Sequence, residues 1–157
     1  MAKKKMKVRR GAGAVVFRMK KGEPEFLLLH RVKRWTGWEL LKGGRMGREP
    51  PISTLRRELA EEIKADKSKI ASIVEIPVKL KFKTPPEYVK KHKYTHMEFQ
   101  TYVVEYNGKV SVNGNEVEEH DAYRWASFRN SIRLLTYDST KEQLKLAYSF
   151  IKKGRFN

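Results

Sequence analysis

The chain has 157 residues, which suits one domain with a sizeable core. It contains no cysteine, which excludes disulfides, a thiolate nucleophile and a cysteine-based zinc site, and no apolar run is long enough to span a bilayer, so we expect no membrane partner and a cytoplasmic location. Its net charge of +17 predicts attraction to polyanions such as RNA or nucleotide polyphosphates, although a generally basic composition is an equally open alternative.

Residues 1–7 are rich in lysine, and we expect them to form a disordered basic arm ahead of a single domain that spans residues 8–157. The domain opens with two predicted strands. The first covers residues 8–19, and the second covers the mostly apolar run at residues 25–32.

A helix is predicted at the end of the segment GGRMGREPPISTLRRELAEE, which covers residues 43–62. Leu55, Leu59 and Ile63 recur at intervals of four residues, which places them in one apolar stripe. The glycines at the start of the segment form a loop in which the backbone can approach a ligand closely. The segment therefore predicts a glycine-rich loop that leads into an amphipathic helix.

The same helix carries a cluster of carboxylates on a second face, because Glu58, Glu61 and Glu62 stand at i, i+3 and i+4. Arg57 lies four residues before Glu61 and can brace the cluster, while Glu49 adds a fourth carboxylate from the loop. Like charges at this spacing repel, and a hard divalent cation such as Mg²⁺ or Mn²⁺ would relieve the repulsion. The alternative is an exposed acidic helix with its charges paired on the surface.

A long β-rich run is predicted after this helix, over residues 67–83. At its end, apolar residues alternate with lysines, which gives the strand one apolar and one basic face, and Pro77 predicts a bulge or an edge position. Another strand follows at residues 94–106, then a short strand reached through residues 118–125, and two helices close the chain. This order predicts an α/β fold in which helices cover both faces of a mixed sheet.

The charged positions of the glycine loop and helix carry a resemblance. The run Gly43-x5-Glu49-x7-Arg57-Glu58-Leu59-x-Glu61-Glu62 resembles the signature of Nudix hydrolases, G-x5-E-x7-R-E-U-x-E-E-x-G-U, in which U is a bulky aliphatic residue. It departs after the charged positions, where Lys64 replaces the glycine and Ala65 the last aliphatic residue, and in the loop, where Arg48 replaces a glycine that many relatives have before the Glu. The resemblance implies the Nudix α/β/α sandwich with a mixed central sheet, and Mg²⁺-dependent hydrolysis of nucleoside diphosphates linked to another moiety.

A second resemblance lies in the C-terminal half. Residues 119–125, EHDAYRW, and the segments that follow resemble the closing part of the asymmetric diadenosine-tetraphosphate hydrolases, a Nudix subgroup also called bis(5′-nucleosyl)-tetraphosphatases. The likeness to this subgroup covers residues 11–150. It implies that dinucleoside polyphosphates are the substrates.

The Nudix resemblance also implies roles for individual residues. Glu61 and Glu62 are the main metal ligands, and Glu58 is either a further ligand or the general base. Arg57 orients these carboxylates. The base is alternatively supplied by the later segment, where Glu119 or its neighbour Glu118 is the candidate.

Substrate contacts are expected from three further residues. Lys42 and Lys81 would meet the phosphates, and Tyr123 would stack on adenine. The carbonyl group of Lys42 or Gly43 would complete the metal shell. The alternatives are a solvated lysine face for Lys81 and a packed core position for Tyr123.

Three other functions stay open on the sequence. The chain is alternatively a nucleoside triphosphate pyrophosphohydrolase, an RNA 5′-pyrophosphohydrolase that acts in decapping, or a non-catalytic Nudix-like module that binds RNA or the ribosome. The last class would be expected to lose the carboxylates, and all of them are present here.

Overall fold

The computed structural model describes residues 7–84, 86, 89, 93–114 and 119–154. In chain order its elements are β1 (Val8–Lys20), β2 (Glu23–Arg31), β3 (Gly37–Glu39), β4 (Leu41–Gly44), α1 (Pro51–Ile63), a 3₁₀ turn (Lys67–Lys69), β5 (Ile70–Lys83), β6 (His96–Tyr106), β7 (His120–Ser127), α2 (Phe128–Leu134) and α3 (Asp138–Lys152). No helix within these ranges is long and apolar enough to cross a membrane.

The seven strands form one mixed sheet, as the order of elements predicts. β1 lies at its centre and pairs in parallel with β6, while β2 and β4 pair with β1 in the antiparallel direction. β5 is antiparallel to β6, and both β3 and β7 pair with β2. From one edge of the sheet to the other, the strands therefore run in the order β7, β2, β1, β6 and β5.

Helices cover both faces of this sheet. Successive residues of a strand point to opposite sides, so β1 contributes side chains to a core on each face. From β1, Ala14 and Val16 pack in one core with Leu55, Leu59 and Ile63 of α1. The neighbouring residues of the same strand face a second core, which α2 and α3 cover through residues such as Leu144 and Ala147. This arrangement confirms the predicted α/β/α sandwich and the predicted apolar stripe of α1.

Two further sequence predictions concern a bulge or edge at Pro77 and a basic arm at residues 1–7. Pro77 lies at a register shift between Ile76 and Lys79, and beyond it the lysines of β5 are exposed while Leu80 is buried. Most of the predicted basic arm, residues 1–6, lies outside the described residues. Lys7 belongs to the sheet region, since its carbonyl oxygen accepts a hydrogen bond from the backbone N–H of Thr95 at 2.8 Å.

Candidate active site

Glu58 lies on the α1 face that looks onto β4. Its carboxylate presses against the backbone of Gly43, so that a Cβ atom at residue 43 would collide with the Glu58 carboxyl carbon and Oε1. β4 is held in place by pairing with β1, where Gly43 lies opposite Ala12. Only glycine leaves room for this contact. The Glu58 carboxylate is consequently buried beside backbone rather than spread into solvent.

Arg57 holds one side of the acid cluster. Its guanidinium donates to Glu49 Oε1 at 2.6 Å, to Glu58 Oε1 at 2.9 Å and to the Gly44 carbonyl oxygen at 2.8 Å, with a longer contact to Glu61 Oε2 at 3.4 Å. We call Arg57, Glu49 and the Gly44 carbonyl the Arg57 clamp. The predicted bracing role of this arginine agrees with its contacts.

Glu49 is the fixed partner within the Arg57 clamp. Hydrogen bonds from Arg57, from the Met46 N–H and from the Thr54 hydroxyl hold its carboxylate, and they lower the pKa of Glu49 to about 2. Because this residue is saturated with donors from its own loop and helix, it orients Arg57 and is not available as a base near neutral pH.

The protonation of Glu58 is set by its burial. Desolvation raises the pKa of Glu58 to about 7, and the negative charge of Glu62 adds to the shift, while Arg57 offsets it only in part. A carboxyl group with this pKa exchanges its proton near neutral pH. Because burial is the largest cause, the shift follows mainly from the loss of solvent around this carboxylate.

His120 holds the other side of the cluster. Its ring lies between two carboxylates, with Nδ1 2.9 Å from Glu62 Oε2 and Nε2 2.8 Å from Glu39 Oε1. Glu39 is buried and also accepts from Arg31 Nη1 at 3.0 Å and from Lys42 Nζ at 2.9 Å. We call His120, Glu39, Arg31 and Lys42 the His120 network. It ties Glu62 of α1 to four strands, β2, β3, β4 and β7.

Opposite charges dominate inside the His120 network. Burial alone would lower the pKa of His120, but the hydrogen bonds and charges of Glu39 and Glu62 outweigh it and raise the pKa to about 9. Burial likewise would raise the pKa of Glu39, and the bond from His120 with the charges of Lys42 and Arg31 lowers it to about 2. The network is therefore an ionised, paired group at neutral pH.

A β-bulge brings His120 to the correct face. Along β2 and β7, Leu29 pairs with Tyr123 and His30 with Ala122, but Arg31 pairs with His120, which leaves Asp121 as the extra residue. Without this shift, alternation along β7 would turn His120 away from α1. The bulge sets both Arg31 and His120 on the side where Glu62 lies.

Glu119 completes the group from the residue just before β7. One ligand atom from each of Glu62, Glu119 and His120 lies within 4.8 Å of the others, and this is the one such set of three or more among the described residues. Arg31 Nη1 is 3.8 Å from Glu119 Oε2. The start of β7 thus faces the helix carboxylates across a narrow gap.

This arrangement of carboxylates can be set beside known protein families. The model of the NUDIX domain matches residues 7–146, which is most of the chain. The chain belongs to the Nudix family. It is a Nudix pyrophosphohydrolase, an enzyme of the class that acts on nucleoside diphosphates linked to another moiety. No curated protein matches the sequence.

Solved structures share the Nudix fold across the whole length. A protein of Listeria monocytogenes described as a Nudix hydrolase is 21% identical, with a TM-score of 0.74, and the alignment covers 96% of this chain and 97% of that one. A binary complex of the Caenorhabditis elegans Ap4A hydrolase is 20% identical, with a TM-score of 0.73 and coverage of 93% and 98%. The Nudix domain of Shewanella oneidensis NrtR, solved with ADP ribose, is 13% identical, with a TM-score of 0.68 and coverage of 94% and 90%.

Nudix enzymes generally use divalent metal ions, and the donor set of this chain fits such an ion. The available ligands are carboxylate oxygens beside a glycine backbone, which hard divalent cations prefer. A cation would stabilise the ionised form of Glu58, which burial disfavours. Glu62 and Glu119 lie close enough together to share one ion.

The sequence-predicted residues occupy different positions relative to this gap. Glu62 and Glu119 line it, while Arg57 and Glu58 contact each other on α1, beside Glu62. Glu61 projects outward, with 57% of its side chain exposed. Glu118, the alternative candidate for the base, lies outside the described residues.

The predicted substrate contacts are also separated. Tyr123 is exposed on β7, on the same sheet face as α1, because it pairs with the core residue Leu29. Lys42 is bound to Glu39 and faces the site through the His120 network. Lys81 lies on β5, four strands away from β7, with its Nζ 4.0 Å from Glu98 Oε2. The structure therefore does not bring Lys81 to the acid cluster.

Sequence reasoning missed Glu39 and Arg31 and assigned no role to His120. The first two stand beside tryptophans in a stretch that has no motif of its own, and the third falls within EHDAYRW. An ionisable residue in an otherwise apolar strand is one signal that could have marked Arg31, since a buried charge needs a partner. The identity of that partner comes only from the fold.

Proposed function

We propose that this Nudix hydrolase cleaves dinucleoside polyphosphates, with diadenosine tetraphosphate as the representative substrate and Mg²⁺ as the metal, for which Mn²⁺ can substitute. One observation carries the proposal: β7 presents Glu119 to the helix carboxylates and, a few residues on, exposes the ring of Tyr123 on the same face. A phosphate chain at the carboxylates and an adenine on Tyr123 would suit a nucleotide that lies along β7. The EHDAYRW likeness and the fold shared with the C. elegans Ap4A hydrolase support this choice.

The residues divide the chemistry of phosphoanhydride hydrolysis between them. Glu58, Glu61 and Glu62 would hold Mg²⁺, which when bound neutralises phosphate oxygens and lowers the pKa of water. A water attacks one phosphorus, the bridging P–O bond breaks, and the proton of the water passes to a carboxylate. Where Glu58 does not itself bind the metal, it is our first choice for that acceptor because it is buried one helical turn from Glu62, and Glu119 is the second.

The phosphate and base contacts come from outside the helix. The Lys42 ammonium donates one of its three N–H groups to Glu39, so two remain that can donate to phosphate oxygens. Tyr123 offers a ring face for stacking. Arg57 keeps Glu58 and Glu61 aligned, so it acts through these residues rather than on the substrate.

A substrate panel tests the proposal. Diadenosine tetraphosphate, ADP-ribose, a nucleoside triphosphate and triphosphorylated RNA are compared by kcat/KM with and without Mg²⁺. We expect diadenosine tetraphosphate to be preferred and all activity to require the metal. Tyr123→Ala should raise KM by roughly 10-fold through lost stacking, and Tyr123→Phe should not. A preference for another substrate would overturn the assignment.

Charge-neutral variants test the metal ligands separately. Glu62→Gln and Glu61→Gln should each lower kcat/KM by about 100-fold or more, because a ligand charge is lost next to the phosphate. The matched control is Glu142→Gln on the exposed surface of α3, where the carboxylate contacts only Lys145. Undiminished activity in Glu62→Gln would show that the metal assignment is wrong.

A second candidate, an RNA 5′-pyrophosphohydrolase, is favoured by cations at the beginning of α1. Arg10 and Arg45 border a cavity of about 200 Å³ together with Pro50 and Pro51. Across the sheet, Glu98 stands between Arg10 and Lys81 in register. This candidate predicts that triphosphorylated RNA is the best substrate in the panel and that its KM rises steeply with salt. Within the described residues, no such observation favours hydrolysis of nucleoside triphosphates or a purely RNA-binding role.

A further inference from the structure

We infer that His120 is a positioning residue of the metal site: it fixes the Glu62 carboxylate through Nδ1 and is not itself a metal ligand. The inference rests on the proposed function in one respect, the assignment of Glu62 as a ligand. Its own support is the geometry of a buried ring that bridges two carboxylates.

Both ring nitrogens of His120 are already used. Nδ1 lies 2.9 Å from Glu62 Oε2, and Nε2 lies 2.8 Å from Glu39 Oε1, both at hydrogen-bond distance. Each ring nitrogen is therefore occupied by a carboxylate oxygen, and a metal ion could reach either nitrogen only by displacing that oxygen. Although His120 lies near Glu62 and Glu119, it must therefore act through Glu62.

The far side of the ring is anchored firmly. Glu39 accepts from Arg31 and Lys42 in addition to His120, and only 3% of its side chain is exposed. The Arg31 guanidinium lies over the ring of Trp35, 5.6 Å from its centroid. Because Glu39 is held by two further donors, His120 cannot turn without losing both of its carboxylate partners. It presents its Nδ1–H to Glu62 from a fixed position.

Glu61 shows what a helix carboxylate does without such an anchor. It is adjacent to Glu62 in sequence, yet 57% of its side chain is exposed, and among the described residues its ion pair is with Arg57 at 3.4 Å. Glu62 has 14% of its side chain exposed. The difference follows from the hydrogen bond that His120 supplies. Ligand groups held by such outer partners bind metal more tightly, because fewer rotamers are lost on binding.

Three variants of His120 separate this role from direct ligation. His120→Asn can place an amide donor near the Nδ1 position and so toward Glu62, whereas His120→Gln reaches toward Glu39, and His120→Ala offers neither contact. The matched control is His30→Asn, since His30 Nδ1 lies 2.7 Å from Asp121 Oδ1 and this other histidine–carboxylate pair does not contact α1. Binding of Mn²⁺ is measured in the absence of substrate, by electron paramagnetic resonance of the free ion.

We expect His120→Ala and His120→Gln to weaken Mn²⁺ binding by about 10- to 100-fold, His120→Asn to weaken it by less than 10-fold, and His30→Asn to leave it unchanged. Pulsed electron paramagnetic resonance of the wild-type protein loaded with Mn²⁺ should show no directly bonded ¹⁴N. A ¹⁴N coupling that disappears in His120→Asn would overturn the inference, and so would equal losses in His120→Asn and His120→Gln.

Two further measurements separate the possible failures. If Glu62→Gln binds Mn²⁺ as tightly as the wild type, the proposed metal site is wrong; if Glu62→Gln loses binding while the His120 variants keep it, only the positioning role is wrong. Melting temperatures without metal show whether each variant folds. Should the His120 variants unfold, Glu39→Gln keeps the shape of the network, and a loss of Mn²⁺ affinity of at least 3-fold in that variant is expected, whereas no loss would overturn the inference.

Discussion

The Arg57 clamp and the His120 network support the same carboxylates in opposite ways. All parts of the Arg57 clamp lie between residues 44 and 57, within one loop and the helix that follows. The His120 network joins β2, β3, β4 and β7, and its contacts span up to 81 residues of sequence. The clamp is local and partly exposed, whereas the network is distant in sequence and buried. The difference shows that one site can combine a support written in a short motif with one that exists only after folding.

The largest expected effect is a loss of stability. It is tested by removing, one at a time, the carboxylates of Glu39 and Glu49, which support the site without touching the substrate. Glu39→Ala removes the buried carboxylate that Arg31, Lys42 and His120 share, which costs about 3 to 5 kcal/mol. Glu49→Ala removes a carboxylate of the more exposed clamp and should cost much less than Glu39→Ala. Urea unfolding measures both free energies. Equal losses would show that burial does not distinguish the two supports.

The pH dependence of the metal-free protein tests the charge between the two supports. The pKa of Glu58 is about 7 when folded against an ordinary value of 4.5, so its stabilising contribution is complete below pH 4.5 and is lost as the pH rises through 7. The free energy of unfolding of Glu58→Gln relative to the wild type should therefore rise by about 2 to 3 kcal/mol between pH 4.5 and 8.

The wild type and the glutamine variant are compared at each pH, so that the loss contributed by His120, which is complete only above pH 9, cancels in the difference. Saturating Mg²⁺ should abolish the Glu58 contribution. A pH-independent difference between the two proteins would contradict the raised pKa.

Within the Arg57 clamp, the arginine itself should matter for activity more than for folding. Arg57→Ala frees both Glu58 and Glu61, and we expect kcat/KM at limiting Mg²⁺ to fall by about 10- to 100-fold. Arg56→Ala is the control, because Arg56 is the exposed neighbour on the same helix. If both variants lose activity equally, the effect arises from the charge of the helix and not from the clamp.

The smallest effect is expected at Lys81, which belongs to neither support. Its side chain is 68% exposed, and its distance from Glu98 is 4.0 Å. Lys81→Ala should change KM for diadenosine tetraphosphate by no more than about 2-fold, in line with the small contribution of exposed ion pairs. A larger rise in KM confined to triphosphorylated RNA would favour the second candidate function.

The local half of the site could be predicted because spacing along a helix determines neighbours in space. Leu55, Leu59 and Ile63 predict the buried stripe, and the position of Arg57 four residues before Glu61 predicts their contact. The glycine at residue 43 predicts close approach of the backbone, which Glu58 then makes. Each of these inferences needs only the geometry of one helix and one loop.

The other half could not be predicted, since its partners meet through strand register. A single extra residue at Asp121 decides whether His120 faces α1, and no pattern in the sequence marks that bulge. Their positions along the helix predict similar surroundings for Glu61 and Glu62, but the two side chains differ in exposure and in partners. They are neighbours on the helix, but only Glu62 has a partner on β7. The remote Lys81 shows the same limit, because alternation gives a face of a strand without its distance from the site.

The β-bulge before Tyr123 has a consequence for biosynthesis. The imidazole that secures the metal-facing carboxylate lies beyond residue 119, so a ribosome must release about four-fifths of the polypeptide before the centre can be assembled. Nascent chains that already contain the glycine loop and its helix will have an acidic surface without catalytic order. Phosphoanhydride cleavage should consequently arise late and abruptly as the protein is made, rather than growing with the length of the emerging chain.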